Sequence, residues 1–224
     1  MKRCKALLDR VIPAYARLPL LVLLAVNFIS YYIPKLLESQ RTLHVISTSL
    51  DDALPRVPGF IFIYVLAYLQ WVVAYIIIAR DSPERCYRIL AGDIIAKLLC
   101  MSVFLIYPTT LERPGVEVTD FTTWLLAFIY RADTPTNLFP SPHCLESWVS
   151  FRGSLGLKRM PRWYAWAQGF FSLFVFASVL LVKQHVWYDI VGALAAAELG
   201  MLLRRVLQAD RLLAKLGRLS RSHT

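Results

Sequence analysis

Three stretches of this chain carry no charge over a length that suits lipid better than water. They lie between Arg17 and Lys35, between Arg56 and Arg80, and between Arg162 and Lys183. A helix needs about 20 apolar residues to cross the hydrocarbon of a bilayer, and each run supplies that length or nearly so. A soluble core could not hide so much apolar surface in 224 residues, of which 57% are hydrophobic, at a mean hydropathy of +0.51. Backbone inside hydrocarbon must satisfy its own hydrogen bonds, which selects helices. The sequence therefore predicts an all-α integral membrane protein.

Six spanning helices are expected, over about Leu18–Ile33, Gly59–Ala79, Ile89–Ile106, Ser141–Leu157, Trp163–Val182 and Val186–Leu203. Pro34 and Pro108 are read as stops after the first and third. The chain reads as a single membrane domain over 1–224, with a basic N-terminus (1–17), a helix bundle (18–203) and a basic cytoplasmic tail (204–224). The formal charge of +10 does not imply nucleic acid, because Lys and Arg sit at the ends of the apolar runs rather than in one patch. By the positive-inside rule both termini face the cytoplasm, and the first helix is expected to remain uncleaved. The long loop from Tyr107 to Pro140 then lies outside. It is proline-rich and holds an apolar stretch, Phe121–Tyr130, too short to span and expected to form a helix at the interface. The tail after Arg204 reads as a basic amphipathic helix resting on anionic headgroups. Cys4, Cys86, Cys100 and Cys144 show no CxxC spacing, so no disulfide framework or metal site is expected.

Chemistry gathers at one predicted face. His185 and Asp189 are four residues apart, so on a helix they share a face. The carboxylate would hold one ring nitrogen and free the other as a nucleophile. A buried His–Asp pair that only pins two helices is an equal competitor for those two residues alone. Ser141-Pro142 reads as a helix start, with Ser as N-cap and Pro at the first position. His143 projects from that first turn on the same predicted side, and a helix N-terminus suits a phosphate. Arg113, in the outer loop, is a natural clamp for phosphate oxygens, and Lys183 adds a second positive charge near His185. Taken singly, Ser141 is an ordinary cap, Arg113 a solvated loop residue and Lys183 a snorkelling boundary lysine.

In order and spacing these residues resemble the type 2 phosphatidic acid phosphatases, which have six membrane helices and three signature blocks. Arg113-Pro114 matches the end of the first block. Pro140, Ser141 and His143 match Pro-Ser-Gly-His in the second. Ser178, His185 and Asp189 fit the spacing of the third. The resemblance implies that His185 forms a phosphoenzyme, that His143 is the general acid and that Asp189 orients His185. It implies that Arg113 and Ser141 bind phosphate and that no metal or other cofactor is required. Ile106, Pro142 and Val179 stand where that family carries lysine, glycine and arginine, so two of its three basic ligands are absent and Lys183 is the candidate replacement. Lys183-Gln184-His185 and Asn137-Leu138-Phe139-Pro140-Ser141 look more like the branch that includes the inositol phosphorylceramide synthases and many bacterial phosphatases.

The expected function is a membrane lipid phosphate or diphosphate phosphatase acting on the extracytoplasmic side of the cell membrane. Its expected partners are a phosphorylated lipid and the bilayer. The alternative is a lipid headgroup phosphotransferase using the same histidine chemistry. A third reading is a non-enzymatic carrier or scaffold with a decayed site. Asp93 and Lys97 are read as a structural ion pair away from the histidines. Glu146 and Glu198 receive no role.

Overall fold

The computed structural model describes residues 11–222. The first ten residues, with Cys4 and most of the basic N-terminus, lie outside the described residues, as do His223 and Thr224. The chain folds into α1 (Ala14–Leu36), a short α2 (Ser49–Ala53), α3 (Ile61–Asp81), α4 (Pro83–Ile106), α5 (Phe121–Ala132), α6 (Pro142–Ser154), α7 (Arg162–Leu181), α8 (Trp187–Leu207) and α9 (Ala209–Ser222). Two-residue strands β1 (His44–Val45) and β2 (Thr109–Thr110) pair in parallel and tie the loops after α1 and α4 together.

Among the described residues, four segments are long and apolar enough to cross a membrane: Ala14–Gln40, Pro58–Asp81, Pro83–Ile106 and Arg162–Leu181. With these helices the protein is all-α and membrane-embedded. The other two expected spans differ in kind. Helix α6 has 13 residues, about 20 Å at the α-helical rise, too short to cross alone. Helix α8 has 21 residues but carries Asp189, Glu198, Arg204 and Arg205.

Helix ends follow local chemistry. Pro34 does not stop α1; it sits in the last turn, and Leu37 N–H closes the helix on the Pro34 and Lys35 carbonyls. Helix α4 begins six residues earlier than the hydropathy suggests. Ser82 caps it by accepting from Arg85 N–H, and Pro83 takes the first position, where its missing N–H costs nothing. The expected interfacial segment is α5, capped by Asp120 and exposing Phe121, Trp124 and Phe128 along one face.

The bundle has an apolar core and, unlike a soluble protein, an apolar outer surface as well. Leu21, Leu24, Leu66, Leu69, Trp166, Phe170 and Leu173 are exposed, as lipid-facing side chains should be. Small residues occupy the closest contacts. Helices α4 and α8 meet where Gly200 lies against Gly92 and Ala96, with Ala196 and Ala197 of α8 buried nearby, the side-chain sizes that let membrane helices approach. Helix α6 is the buried centre, packed against α3, α7 and α8. Its lower end is locked by a polar corner. Asp81 accepts from Lys158 N–H at 2.6 Å and from Arg85 Nε at 2.9 Å, and Arg85 also donates to the carbonyls of Gly153, Leu155 and Gly156. Helix α9 folds back against α1 and α4 and buries Leu213, so the basic tail is part of the bundle.

A Cβ on Gly200 would strike the Gly92 carbonyl oxygen and come within 2.8 Å of Ala96 N, both backbone atoms that cannot swing aside. Gly200→Val is expected to destabilise the protein by at least about 1–3 kcal/mol. Thermal unfolding in detergent checks this. Gly59→Ala, where nothing lies within 4 Å of the added carbon, should stay within about 0.5 kcal/mol.

Candidate active site

The beginnings of α6 and α8 converge. Ser141, the N-cap of α6, donates its backbone N–H to the Asp189 carbonyl at 3.1 Å, and Asp189 is the third residue of α8. This bond brings together two segments that are far apart in the chain.

His185 lies in the turn between α7 and α8. Lys183 there adopts φ 53°, the left-handed conformation that ends helices, and Gln184 and His185 N–H both donate to the Val179 carbonyl. His185 therefore precedes α8 rather than sharing a helical face with Asp189. The carboxylate reaches back out of the first turn instead. Its Oδ2 lies 2.9 Å from His185 Nδ1 and accepts from Val186 N–H at 3.0 Å. Asp189 is fully buried and His185 nearly so. With Nδ1 engaged, Nε2 is the ring atom left for chemistry.

His143 is the second residue of α6. Its ring stacks on Tyr64 at 3.9 Å between centroids, and the rings of Trp71 and Tyr68 meet it edgewise at 5.0 and 5.2 Å. Its Nε2 is buried and makes no hydrogen bond to the protein. The two imidazole centroids are 6.4 Å apart, and both rings line one cavity of about 300 Å³.

That cavity runs between α1, α3, α4 and α6, from Lys35 and Asp133 at one end to Asn27, Lys97 and Glu146 at the other. The inner end is an ionic cluster. Lys97 pairs with Asp93 at 3.3 Å and with Glu146, and Tyr75 Oη lies 2.5 Å from Asp93 and 2.7 Å from Glu146. The Asp93–Lys97 pair expected from sequence is present. Its expected distance from the histidines is not, because Lys97 and Glu146 line the cavity that holds them.

The nominated phosphate ligands fare differently. Arg113 is part-buried beside the site: it donates to the Asp133 carbonyl at 2.5 Å and to the Gln184 side chain, and it lies over the Tyr130 ring at 5.0 Å. Burial draws its pKa below the usual arginine value, and the Asp133 carboxylate opposes that fall. It does not line the histidine cavity. The Ser141 hydroxyl is fully buried and caps α6 by accepting from Cys144 N–H. Lys183 turns away, donating to the Asp51 and Leu54 carbonyls at 2.6 and 2.7 Å. It is a loop anchor, as expected of a residue whose charge is already satisfied by protein oxygens. The structure thus joins His143, His185 and Asp189, holds Arg113 one side chain away, and uses Ser141 and Lys183 as structural ties.

Sequence reading missed the aromatic lining. Tyr64, Tyr68 and Trp71 follow an i, i+4, i+7 pattern on one face of α3, a signal that was present but indistinguishable from ordinary packing. A second cavity, of about 220 Å³, also reaches His185, and its walls include Ser47, Asp52, Glu112 and Lys183. Among the described residues, no three His, Cys, Asp or Glu side chains are grouped as metal ligands. Comparison of the chain with protein-family models, with curated proteins and with solved structures yields no match.

Lys183→Met removes a charged donor from two backbone carbonyls. It is expected to cost about 1–3 kcal/mol of stability, read as a lower unfolding temperature in detergent.

Proposed function

We propose that this protein is a membrane phosphatase that cleaves a lipid phosphate or diphosphate through a phosphohistidine on His185. The observation that carries the proposal is the pair of imidazoles lining one cavity at 6.4 Å, with Asp189 holding Nδ1 of His185. A nucleophile about 3–3.5 Å from phosphorus and an acid within about 2.6–3.2 Å of the leaving oxygen both fit that separation.

In the first half-reaction Nε2 of His185 attacks phosphorus. The bond to the lipid oxygen breaks, and the His143 imidazolium gives its proton to that oxygen. In the second, water attacks the phosphohistidine, passes a proton to His143 and releases inorganic phosphate as the nitrogen–phosphorus bond breaks. Asp189 offsets the charge that His185 gains. The positive ends of the α6 and α8 dipoles and the Arg113 guanidinium supply the local field for an anion. No step needs a metal or organic cofactor.

Hydrolysis is favoured over headgroup transfer by the second cavity. Its walls, with Ser47, Asp52, Glu112 and Lys183 among them, are polar and charged, which suits water at His185 better than the apolar body of a lipid alcohol. In this reading the bundle has six crossings, with the short α6 sheltered by its neighbours. The distribution of Lys and Arg supports cytoplasmic termini and a site on the extracytoplasmic side of the cell membrane.

Purified protein in chelator should release phosphate from a panel of phosphatidic acid, phosphatidylglycerol phosphate and polyprenyl diphosphate, with vanadate inhibiting. His185→Ala is expected to lower turnover by at least about 10³-fold and His143→Ala by about 10²–10⁴-fold. Unchanged release by His185→Ala would end the proposal, and a new phospholipid formed from an alcohol acceptor, with little free phosphate, would replace hydrolysis by transfer.

A further inference from the structure

The two histidines of the cavity are held by different means. His185 has a carboxylate on one nitrogen. His143 has aromatic rings: Tyr64 face to face at 3.9 Å and 22°, and the edges of Trp71 and Tyr68. The rings are themselves anchored. Tyr64 is 1% exposed. Trp71 Nε1 donates to Ser147 Oγ at 3.0 Å, which ties the indole to the same helix that carries His143.

A general acid must be protonated when substrate arrives. An imidazolium in a buried site with no protein hydrogen bond on Nε2 is expensive. A stacked phenol ring offsets part of that cost through its negative π face. The flanking rings also leave the imidazole little freedom to rotate. No carboxylate hydrogen-bonded to His143 is needed for this.

We infer that Tyr64, Tyr68 and Trp71 are positioning residues that hold His143 as the proton donor to the leaving oxygen. The inference rests on the proposed phosphatase reading. It makes a prediction that simple packing does not: these rings should matter in proportion to how much the leaving group needs a proton. An alkoxide leaves only when protonated. A p-nitrophenolate leaves almost unaided.

The experiment compares dioctanoyl phosphatidic acid with p-nitrophenyl phosphate in wild type, Tyr64→Leu, Trp71→Leu, Tyr68→Leu, Tyr64→Phe and Trp71→Phe. In the Tyr64→Leu and Trp71→Leu variants the kcat ratio of aryl to alkyl substrate should rise at least about 10-fold, a fraction of the contribution usual for a general acid. Tyr64→Phe, which keeps the stacked π face, and Trp71→Phe, which keeps an aromatic ring beside the imidazole, should return the ratio to near the wild-type value. Tyr68 is 47% exposed, so Tyr68→Leu folds even where the buried substitutions do not, and it should move the ratio in the same direction. Equal losses on both substrates, or no losses, would overturn the inference and leave the rings as packing. His185→Ala separates the two ideas. If it abolishes turnover of both substrates while the ring variants leave the ratio flat, only the positioning role fails. If it abolishes neither, or if wild type cleaves neither, the phosphatase reading falls and this inference with it.

Discussion

One buried residue, Asp189, joins the parts of this molecule that would otherwise have no reason to meet. Its carbonyl accepts the N–H of Ser141 at the head of α6, and its carboxylate accepts the amide of Val186 and holds Nδ1 of His185. Two helix beginnings and both histidines are registered to one another through that residue. A carboxylate at this depth is tolerated because Oδ2 is doubly hydrogen-bonded and because it sits at the positive end of α8. Leaving such donors unpaired in a buried site costs more than the bonds contribute when made, which makes the arrangement cooperative.

Around that junction the bundle follows the rules of a lipid solvent. Apolar side chains give no preference for helix over lipid, so α4 and α8 associate through small residues at close range. Polar side chains act inside: Gln70 donates to Gln168 at 2.9 Å, Trp71 to Ser147, and Tyr75 reaches the Asp93–Lys97–Glu146 cluster. Two of these ties, Trp71 to Ser147 and Tyr75 to Glu146, converge on α6, which is too short to cross a bilayer alone. The cavity is the space that remains where aromatic side chains of α1 and α3 face this polar centre.

The separation of roles among the basic residues has a common physical origin. Lys183 and Arg113 both lie in loops, where unpaired carbonyls attract any available donor. Lys183 is consumed by Asp51 and Leu54, and Arg113 by Asp133 and Gln184. A charge count along the chain cannot anticipate which oxygens will claim a cation, because the competing acceptors come from segments more than a hundred residues away for Lys183 and about seventy for the Gln184 contact of Arg113.

Much was legible before any fold was known. The uncharged runs specify membrane helices because lipid enforces backbone self-satisfaction. Ser141-Pro142 marks a helix start through local capping geometry. The spacing of His185 and Asp189 places them within reach of each other, although they meet through a carboxylate bending back from the first turn of α8 and not along a helical face. Those are local matters, settled within a few residues. Other features required the packed bundle: the approach of His143 to His185, the aromatic enclosure of His143, the proximity of Lys97 to the site, and the diversion of Lys183. Each depends on contacts between distant segments, and such contacts are fixed by how helices pack, a property that no short stretch of the chain encodes.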